Sequence, residues 1–323
     1  MNSKMYVSPK DKSALIENKD SLTAIDGSVF PITRVGNFFI PNFVGTNDSA
    51  YLETNASYDH KDSIEFYSNS KEWLFQTFEE DEQEFRLQIM KKIIQGNERR
   101  ILITGCGLGD DISSVLELTN FKAHIYTTDL SSTMLLHTAK TFGQYQNNLS
   151  FSVCDACELP FGDNYFDAVF HFGGINLFDN IEQAINEMSR VVCPGGRVGF
   201  GDEAVAPWLR KLDYGKIAIT NNKLWSSLPP LDKLPFEALD VKLEWVLGNC
   251  FYFITFTKNQ DGPHMNIDIP HKGVRGGSMR TRYYGVLEGV SIETKERVLS
   301  EAKKRNISIS KFTENALQCF LAE

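Results

Sequence analysis

Three groups of residues in this chain have the types and spacing to do chemistry. The first is a glycine turn, Gly105-Cys106-Gly107-Leu108-Gly109, entered from the apolar run Ile101-Leu102-Ile103-Thr104. The second is a pair of acids after strand-like runs: Asp129, followed by Leu130, and further on Asp155-Ala156. The third is a set of proton-accepting side chains, His171 after Phe166–Phe170 and Asp202-Glu203 after Arg197–Phe200. Glycines let a backbone turn tightly and approach a bound nucleoside, and an ionised carboxylate accepts from both ribose hydroxyls. A histidine or carboxylate at a strand end can take a proton as a general base. Each residue also has an ordinary reading. Asp129 and Asp155 suit turns, His171 suits a hydrogen-bonded lining, and Asp202-Glu203 suits a helix cap before Val205.

The elements that would hold these residues alternate in type. Strand-like runs at Ile101–Thr104, Ala123–Thr128, Leu149–Val153, Phe166–Phe170 and Arg197–Phe200 are interleaved with helical patterns at Asp110–Leu118, Ser132–Phe142 and Ile181–Val191. A hairpin, Val241–Val246 and Phe251–Phe256 around Gly248-Asn249, closes the series. That order predicts an α/β fold: a doubly wound, mostly parallel seven-stranded sheet with an antiparallel last strand. Upstream, Ser63–Gln95 reads as helical, with Trp73, Leu74, Phe78, Phe85, Ile89 and Ile93 on one side and the acidic run 79–84 facing water. Two short strands around Val35-Gly36-Asn37 precede it.

Composition narrows the class. A hydrophobic content of 42% suits a globular protein. No apolar run reaches the ~18 residues needed to cross a bilayer, and the first residues lack a signal-peptide pattern, so a cytoplasmic location is expected. The six cysteines are scattered, and Cys154-x-x-Cys157 is a lone pair read as a strand end, so neither disulfides nor a metal is expected.

Taken together, in order, the motifs over residues 98–258 resemble a class I S-adenosylmethionine-dependent methyltransferase of the small-molecule type. The carriers are the turn 105–109, Asp129, Cys154-Asp155-Ala156-Cys157-Glu158-Leu159-Pro160-Phe161, Phe166-Asp167-Ala168-Val169-Phe170 and Val192-Cys193-Pro194-Gly195-Gly196. The resemblance implies a Rossmann-like methyltransferase fold and S-adenosylmethionine as cofactor. It implies that Gly105, Cys106, Gly107 and Gly109 cradle the methionine end, that Asp129 and Leu130 meet the ribose, and that Asp155 and Ala156 meet the adenine. His171, Asp202 and Glu203 become the candidate catalytic residues for deprotonating an acceptor. Asn176 is a further candidate at the same strand ends. The chain departs from the family at Ile103, where most members carry an acid that helps orient the methionine part. Asp110 and Asp111 are the candidates to replace it.

The same resemblance frames the rest of the chain. Residues 1–62 look like the strand-rich leader of some methyltransferases, residues 63–260 are the catalytic domain, and 203–240 form an acceptor lid. Trp208, Tyr214 and Trp225 in the lid, with Phe66, Tyr67 and Trp73 opposite, suit an aromatic small-molecule acceptor or simply the lid's own core. Residues 261–323 form a tail. Within it, 271–323 hold ten Lys/Arg against six Asp/Glu, on an otherwise acidic body in a chain of net charge -9.

A strand-like stretch 283–290, a helix capped by Ser291, and a last helix with Phe312, Leu317 and Phe320 resemble a ribbon-helix-helix module. Such modules dimerise through paired strands and read DNA with the ribbon. Arg280 and Arg282 suit DNA, whereas Tyr284, Val286 and Glu288 read base edges poorly. The favoured reading is a homodimer contact or a lid that holds an anionic acceptor, with nucleic-acid binding by a DNA-binding or ligand-sensing regulator as the alternative. A nicotinamide-dependent enzyme is disfavoured, because Gly-x-Gly-x-Gly lacks the pyrophosphate-binding spacing.

Overall fold

The computed structural model describes residues 5–44, 62–272, 278–284 and 290–322. The chain forms two compact units, Met1–Pro263 and His264–Glu323. The first opens with a small antiparallel sheet, β1 (Ile16–Glu17), β2 (Ser21–Thr23), β3 (Val29–Val35) and β4 (Phe38–Pro41). The helices α1 (Ser63–Thr77) and α2 (Glu82–Met90) follow. Then come β5 (Arg100–Thr104), α3 (Ile112–Leu118), β6 (His124–Asp129), α4 (Ser132–Thr141), β7 (Leu149–Val153) and β8 (Phe166–Phe172). The unit ends with α5 (Ile181–Val191), β9 (Val192–Glu203), α6 (Asp213–Asn221), β10 (Ala238–Val246) and β11 (Phe251–Lys258).

The seven long strands pair in the order β10-β11-β9-β8-β5-β6-β7, with β11 antiparallel to both its neighbours and the rest parallel. Because helices cover both faces, the central strands are apolar on both sides. Ile103, Phe170 and Phe253 pack on one face with Ile89, Ile93 and Val115. Leu102, Val169 and Val198 pack on the other with Phe161, Ile185 and Met188. Each such fully buried side chain contributes about 1.5–3 kcal/mol. Strand order reverses between β5 and β8, so the crevice for a ligand opens above Thr104 and His171, which are in register.

Three elements differ from the sequence reading. The helical stretch 63–95 is two helices, because Glu79 takes a left-handed conformation (φ 54°) and Asp81 restarts the chain as the cap of α2, accepting from Glu84 N at 2.8 Å. Strand β9 begins at Val192, with Pro194-Gly195-Gly196 looped out between the pairs Phe166–Val192 and Ala168–Arg197. In the second unit, residues Met279–Tyr284 form a short helix, α7, where a strand was expected to start at Tyr283. A helical turn closed by Arg282 N on Ser278 O (3.2 Å) overrides the weak strand preference of the two tyrosines. Residues 285–289 lie outside the described residues.

The small sheet docks on the outer edge of the large one. Gly36 makes the β3–β4 turn, and Phe43 N donates to Val153 O on β7 at 2.8 Å. This covers an edge strand that would otherwise expose unpaired backbone groups. In the second unit, Ser291 caps α8 (Ile292–Lys304) and Ser308 caps α9 (Ile309–Leu321).

Candidate functional site

The glycine turn is fixed from three sides. Cys106 N donates to Thr128 O (2.9 Å), Gly107 N to Asp129 Oδ2 (2.7 Å), and Thr138 Oγ1 to Gly107 O (2.8 Å). Two glycines are required by geometry. Gly105 (φ +59°) packs on the ring of His171, whose Cε1 lies 2.9 Å from where a Cβ would stand. Gly109 (φ +81°) would place a Cβ 2.5 Å from Thr138 Cγ2, so it is what lets α4 close against the turn.

One cavity of about 800 Å³ runs from this turn across the carboxyl ends of the strands. Gly105, Gly107, Asp129, Leu130, Asp155 and Ala156 line one end. Tyr67, Trp73, Phe172, Glu203, Trp225 and Phe251 also line it, and His171 belongs to the same wall. Of the sequence-derived candidates, Cys106, Gly109, Asn176 and Asp202 are not on the wall. Asp129 Oδ1 also accepts from Ser131 N at 2.8 Å, so two backbone N–H groups orient its carboxylate. Asp155 is exposed, and its Oδ1 accepts from Cys157 N at 2.8 Å. The turn-forming role and a wall position therefore coincide in one residue.

The catalytic candidates separate. Asp202 is fully buried and accepts from Asn176 N (2.6 Å) and Glu203 N (2.8 Å), while Asn176 Nδ2 donates to Glu203 O (2.8 Å). Asn176 and Asp202 thus clamp the loop rather than face a substrate. Glu203 reaches the cavity, and burial, followed by the charge of Asp202, pushes its pKa up to about 9. His171 Nδ1 lies 3.0 Å from Thr104 O, which fixes its proton there and leaves Nε2 as an acceptor. Burial lowers the pKa of His171.

Neither acid proposed to replace the one missing at Ile103 reaches the wall. Asp110 pairs with Lys71 Nζ at 2.5 Å, and Asp111 with Arg86 Nη1 at 2.7 Å. Glu82 joins them, 3.0 Å from Lys71 and 2.7 Å from Arg86 Nε. Lys71 and Arg86 are themselves on the cavity wall, which sequence reading missed. The available signal was the position of Lys71, one helical turn beyond Tyr67 on α1. Of the lid aromatics, Trp225 lines the cavity, whereas Trp208 packs edge-on against Trp245 and Tyr214 donates to Gly248 O. Phe251 and Phe172 also line the cavity.

Among the described residues, the buried side-chain atoms without a partner are Asp110 Oδ2, Thr128 Oγ1, His171 Nε2 and Tyr252 Oη. Thr128 and His171 both line the cavity, where a polar ligand would satisfy such atoms.

Comparison with known proteins places this site. Residues 102–200 match the family model described as "Methyltransferase domain". A Brucella canis protein named ubiquinone/menaquinone biosynthesis C-methyltransferase UbiE is 37% identical over 94 residues, covering 28% of this chain and 35% of that protein. Its namesake from Cupriavidus pinatubonensis is 32% identical over 116 residues, or 35% and 48% of the two chains. The chain thus spans a third to a half of the length of these curated relatives. A Haemonchus contortus phosphoethanolamine N-methyltransferase 2, solved with S-adenosyl-L-methionine, superposes with a TM-score of 0.51 at 16% identity, over 68% of this chain and 62% of that one. At that identity the likeness concerns the fold alone. Residues 102–200 are thus similar to a methyltransferase domain, and they lie in a Rossmann-like, seven-stranded sheet.

Proposed function

We propose that this protein transfers the methyl group of S-adenosylmethionine to a small aromatic molecule. The observation that carries the reading is the continuity of one cavity, from the glycine turn with Asp129 and Asp155 to a chamber walled by Trp73, Phe172, Trp225 and Phe251. The residues suit the cofactor: the turn has no Cβ where the backbone must be approached, and Thr128 Oγ1 is an unmet polar atom beside Asp129. When bound, S-adenosylmethionine supplies a methyl group already activated on a sulfonium sulfur.

What the protein contributes is placement, which can account for many kcal/mol of a bimolecular barrier. Asp129 accepts the ribose hydroxyls, Asp155 accepts from the adenine amino group, and Ala156 offers its N–H. Lys71 and Arg86 line the methionine end, held there by Glu82, Asp110 and Asp111. The aromatic walls orient a flat acceptor and exclude water. His171 is the group on the wall able to receive an acceptor proton, while Glu203, kept protonated by burial and by Asp202, already holds one. The printed names of the curated relatives, which concern quinone biosynthesis, are in keeping with an aromatic acceptor.

Homodimerisation and cytoplasmic residence belong to the same proposal. Exposed Leu299, Leu317 and Phe320 on α8 and α9 support a contact between second units. No helix among the described residues is long and apolar enough to cross a membrane. The DNA-binding alternative draws no support: Arg280, its leading contact, is paired with Asp268 at 2.5 Å.

Calorimetry tests the reading. S-adenosylhomocysteine should bind and NAD should not; a protein that ignores S-adenosylhomocysteine would overturn it.

A further inference from the structure

We propose that this protein grips the amino-acid end of S-adenosylmethionine by its carboxylate, through Lys71 on α1 and Arg86 on α2, rather than by its ammonium through an acid at the end of β5. This rests on the methyl-transfer reading and assigns the residues of one subsite within it.

At the end of β5, Ile103 is buried in the core with Ile89 and Val115, so nothing there can meet a charge. The acids around the glycine turn divide into two kinds. Asp129 lines the cavity but already accepts from the N–H groups of Gly107 and Ser131. Glu82, Asp110 and Asp111 do not line it, whereas their cationic partners Lys71 and Arg86 do. At this end of the cavity the cations form the wall and the acids lie behind them.

Both cations have N–H groups to spare. Helix α1 lies over the turn, with the Tyr67 phenol 3.4–3.8 Å from where a Cβ on Gly107 would stand, and Lys71 follows Tyr67 by one helical turn. Lys71 Nζ meets Asp110 Oδ1 at 2.5 Å and Glu82 Oε1 at 3.0 Å, which leaves the third of its three N–H groups unused. Arg86 gives Nε to Glu82 and Nη1 to Asp111. Its Nη2 makes no hydrogen bond among the described residues, the nearest acid oxygen being Asp110 Oδ2 at 3.5 Å. Arg86 is only 7% exposed, and an unused N–H on so buried a side chain is costly unless a ligand in the cavity takes it.

Counted as a unit, two cations and three acids are negative, and that sum alone would favour the ligand's ammonium. Layering decides otherwise. A group in the cavity touches the N–H groups of Lys71 and Arg86 first, and Coulomb energy falls with distance while a charge-assisted hydrogen bond needs direct contact. The three acids hold the two cations in place and keep them charged. Donors from two cations also suit the two oxygens of one carboxylate. Capture of the ammonium by the cluster is the competing outcome of the test.

Calorimetry on the full-length protein with four ligands tests this: S-adenosylhomocysteine, its decarboxylated and its deaminated counterparts, and methylthioadenosine, which lacks the whole amino-acid end. In the parent, the deaminated ligand, which keeps the carboxylate, should bind at least about tenfold more tightly than the decarboxylated one. Lys71→Met should weaken S-adenosylhomocysteine and the deaminated ligand by about tenfold or more. It should bind the decarboxylated ligand no more weakly than the parent does, and leave methylthioadenosine within about threefold, which also reports that the variant is folded. Should Lys71→Met not fold, the order of the two truncated ligands in the parent still decides. A decarboxylated ligand that binds as tightly as the deaminated one, or a Lys71→Met protein that weakens all four ligands alike or none of them, would overturn the proposal and leave the methyl-transfer reading standing. A parent protein that binds none of the four would overturn both.

Discussion

Asp129 and Gly107 are joined by a 2.7 Å hydrogen bond from the Gly107 N–H to Oδ2, so the acid at the end of β6 holds the glycine turn that follows β5. One carboxylate therefore does two things: it shapes the turn, and it lines the cavity.

Asp129→Ala should accordingly weaken binding of both S-adenosylhomocysteine and methylthioadenosine, which lacks the amino-acid end. Two or three lost hydrogen bonds at about 1 kcal/mol each correspond to a loss of roughly 30- to 150-fold. Calorimetry with the two ligands checks this. Unchanged affinity for methylthioadenosine would remove Asp129 from the nucleoside end.

Gly109→Ala should act on stability first. The new Cβ would sit 2.5 Å from Thr138 and 2.9 Å from Ile112 and Phe142, at a φ of +81° that L-residues rarely adopt. A loss of several kcal/mol follows from strain and overpacking combined. Gly107 is also left-handed (φ +52°), but there the added Cβ meets only the Tyr67 phenol, at 3.4–3.8 Å, so Gly107→Ala should carry the backbone strain without the overpacking, costing less stability and more ligand affinity. Denaturant midpoints and calorimetry on the pair separate the effects, and equal destabilisation by both would refute the division.

The contrast between these glycines shows which parts of the site could be read from the chain. Alternating apolar runs fix the sheet because each central strand must be buried on both faces, and the turn, Asp129 and Asp155 lie at fixed offsets from those strands. Contacts made across the sequence were harder to read. Arg86 reaches the acids after the turn because Glu79 breaks the helical stretch and α2 starts anew, and nothing in the local pattern says which charged residue of an amphipathic helix turns inward. Asp202 and Glu203 look equivalent in sequence, yet Asp202 is held by the backbone N–H groups of Asn176 and Glu203 while Glu203, beside it, reaches the cavity. The lid was the least legible segment: Trp208 and Trp225 are both aromatic, but only the second is anchored inward, where Val205 N donates to its carbonyl at 2.8 Å.

The ion-pair network predicts a large asymmetry between single and double changes. Arg86 is buried, and removing it leaves Asp111 buried without its cation. Arg86→Met should destabilise by about 3–5 kcal/mol, and Asp111→Leu by a similar amount. The combined Arg86→Met/Asp111→Leu protein should lose much less than the sum, because no unpaired charge remains at that position. Thermal unfolding of the four proteins forms the cycle; simple additivity would mean the pair is not coupled.

The pH dependence of stability follows from Glu203. Its pKa is about 9 in the folded protein, against 4.5 for the ordinary side chain. Below the ordinary value both folded and unfolded chains hold the proton, so burial of the carboxyl carries no ionisation penalty. As pH rises above it, the unfolded chain releases the proton while the folded one keeps it, and the fold loses stability relative to the unfolded chain. The loss grows until pH reaches the folded value and is constant beyond. Glu203→Gln cannot ionise and escapes this penalty. The stability difference between Glu203→Gln and the parent should therefore shift steadily in favour of the variant from mildly acidic pH to about 9, by a few kcal/mol, and then level off. Urea midpoints across that range measure it directly, and a difference that does not change with pH would show that Glu203 ionises as it would in water.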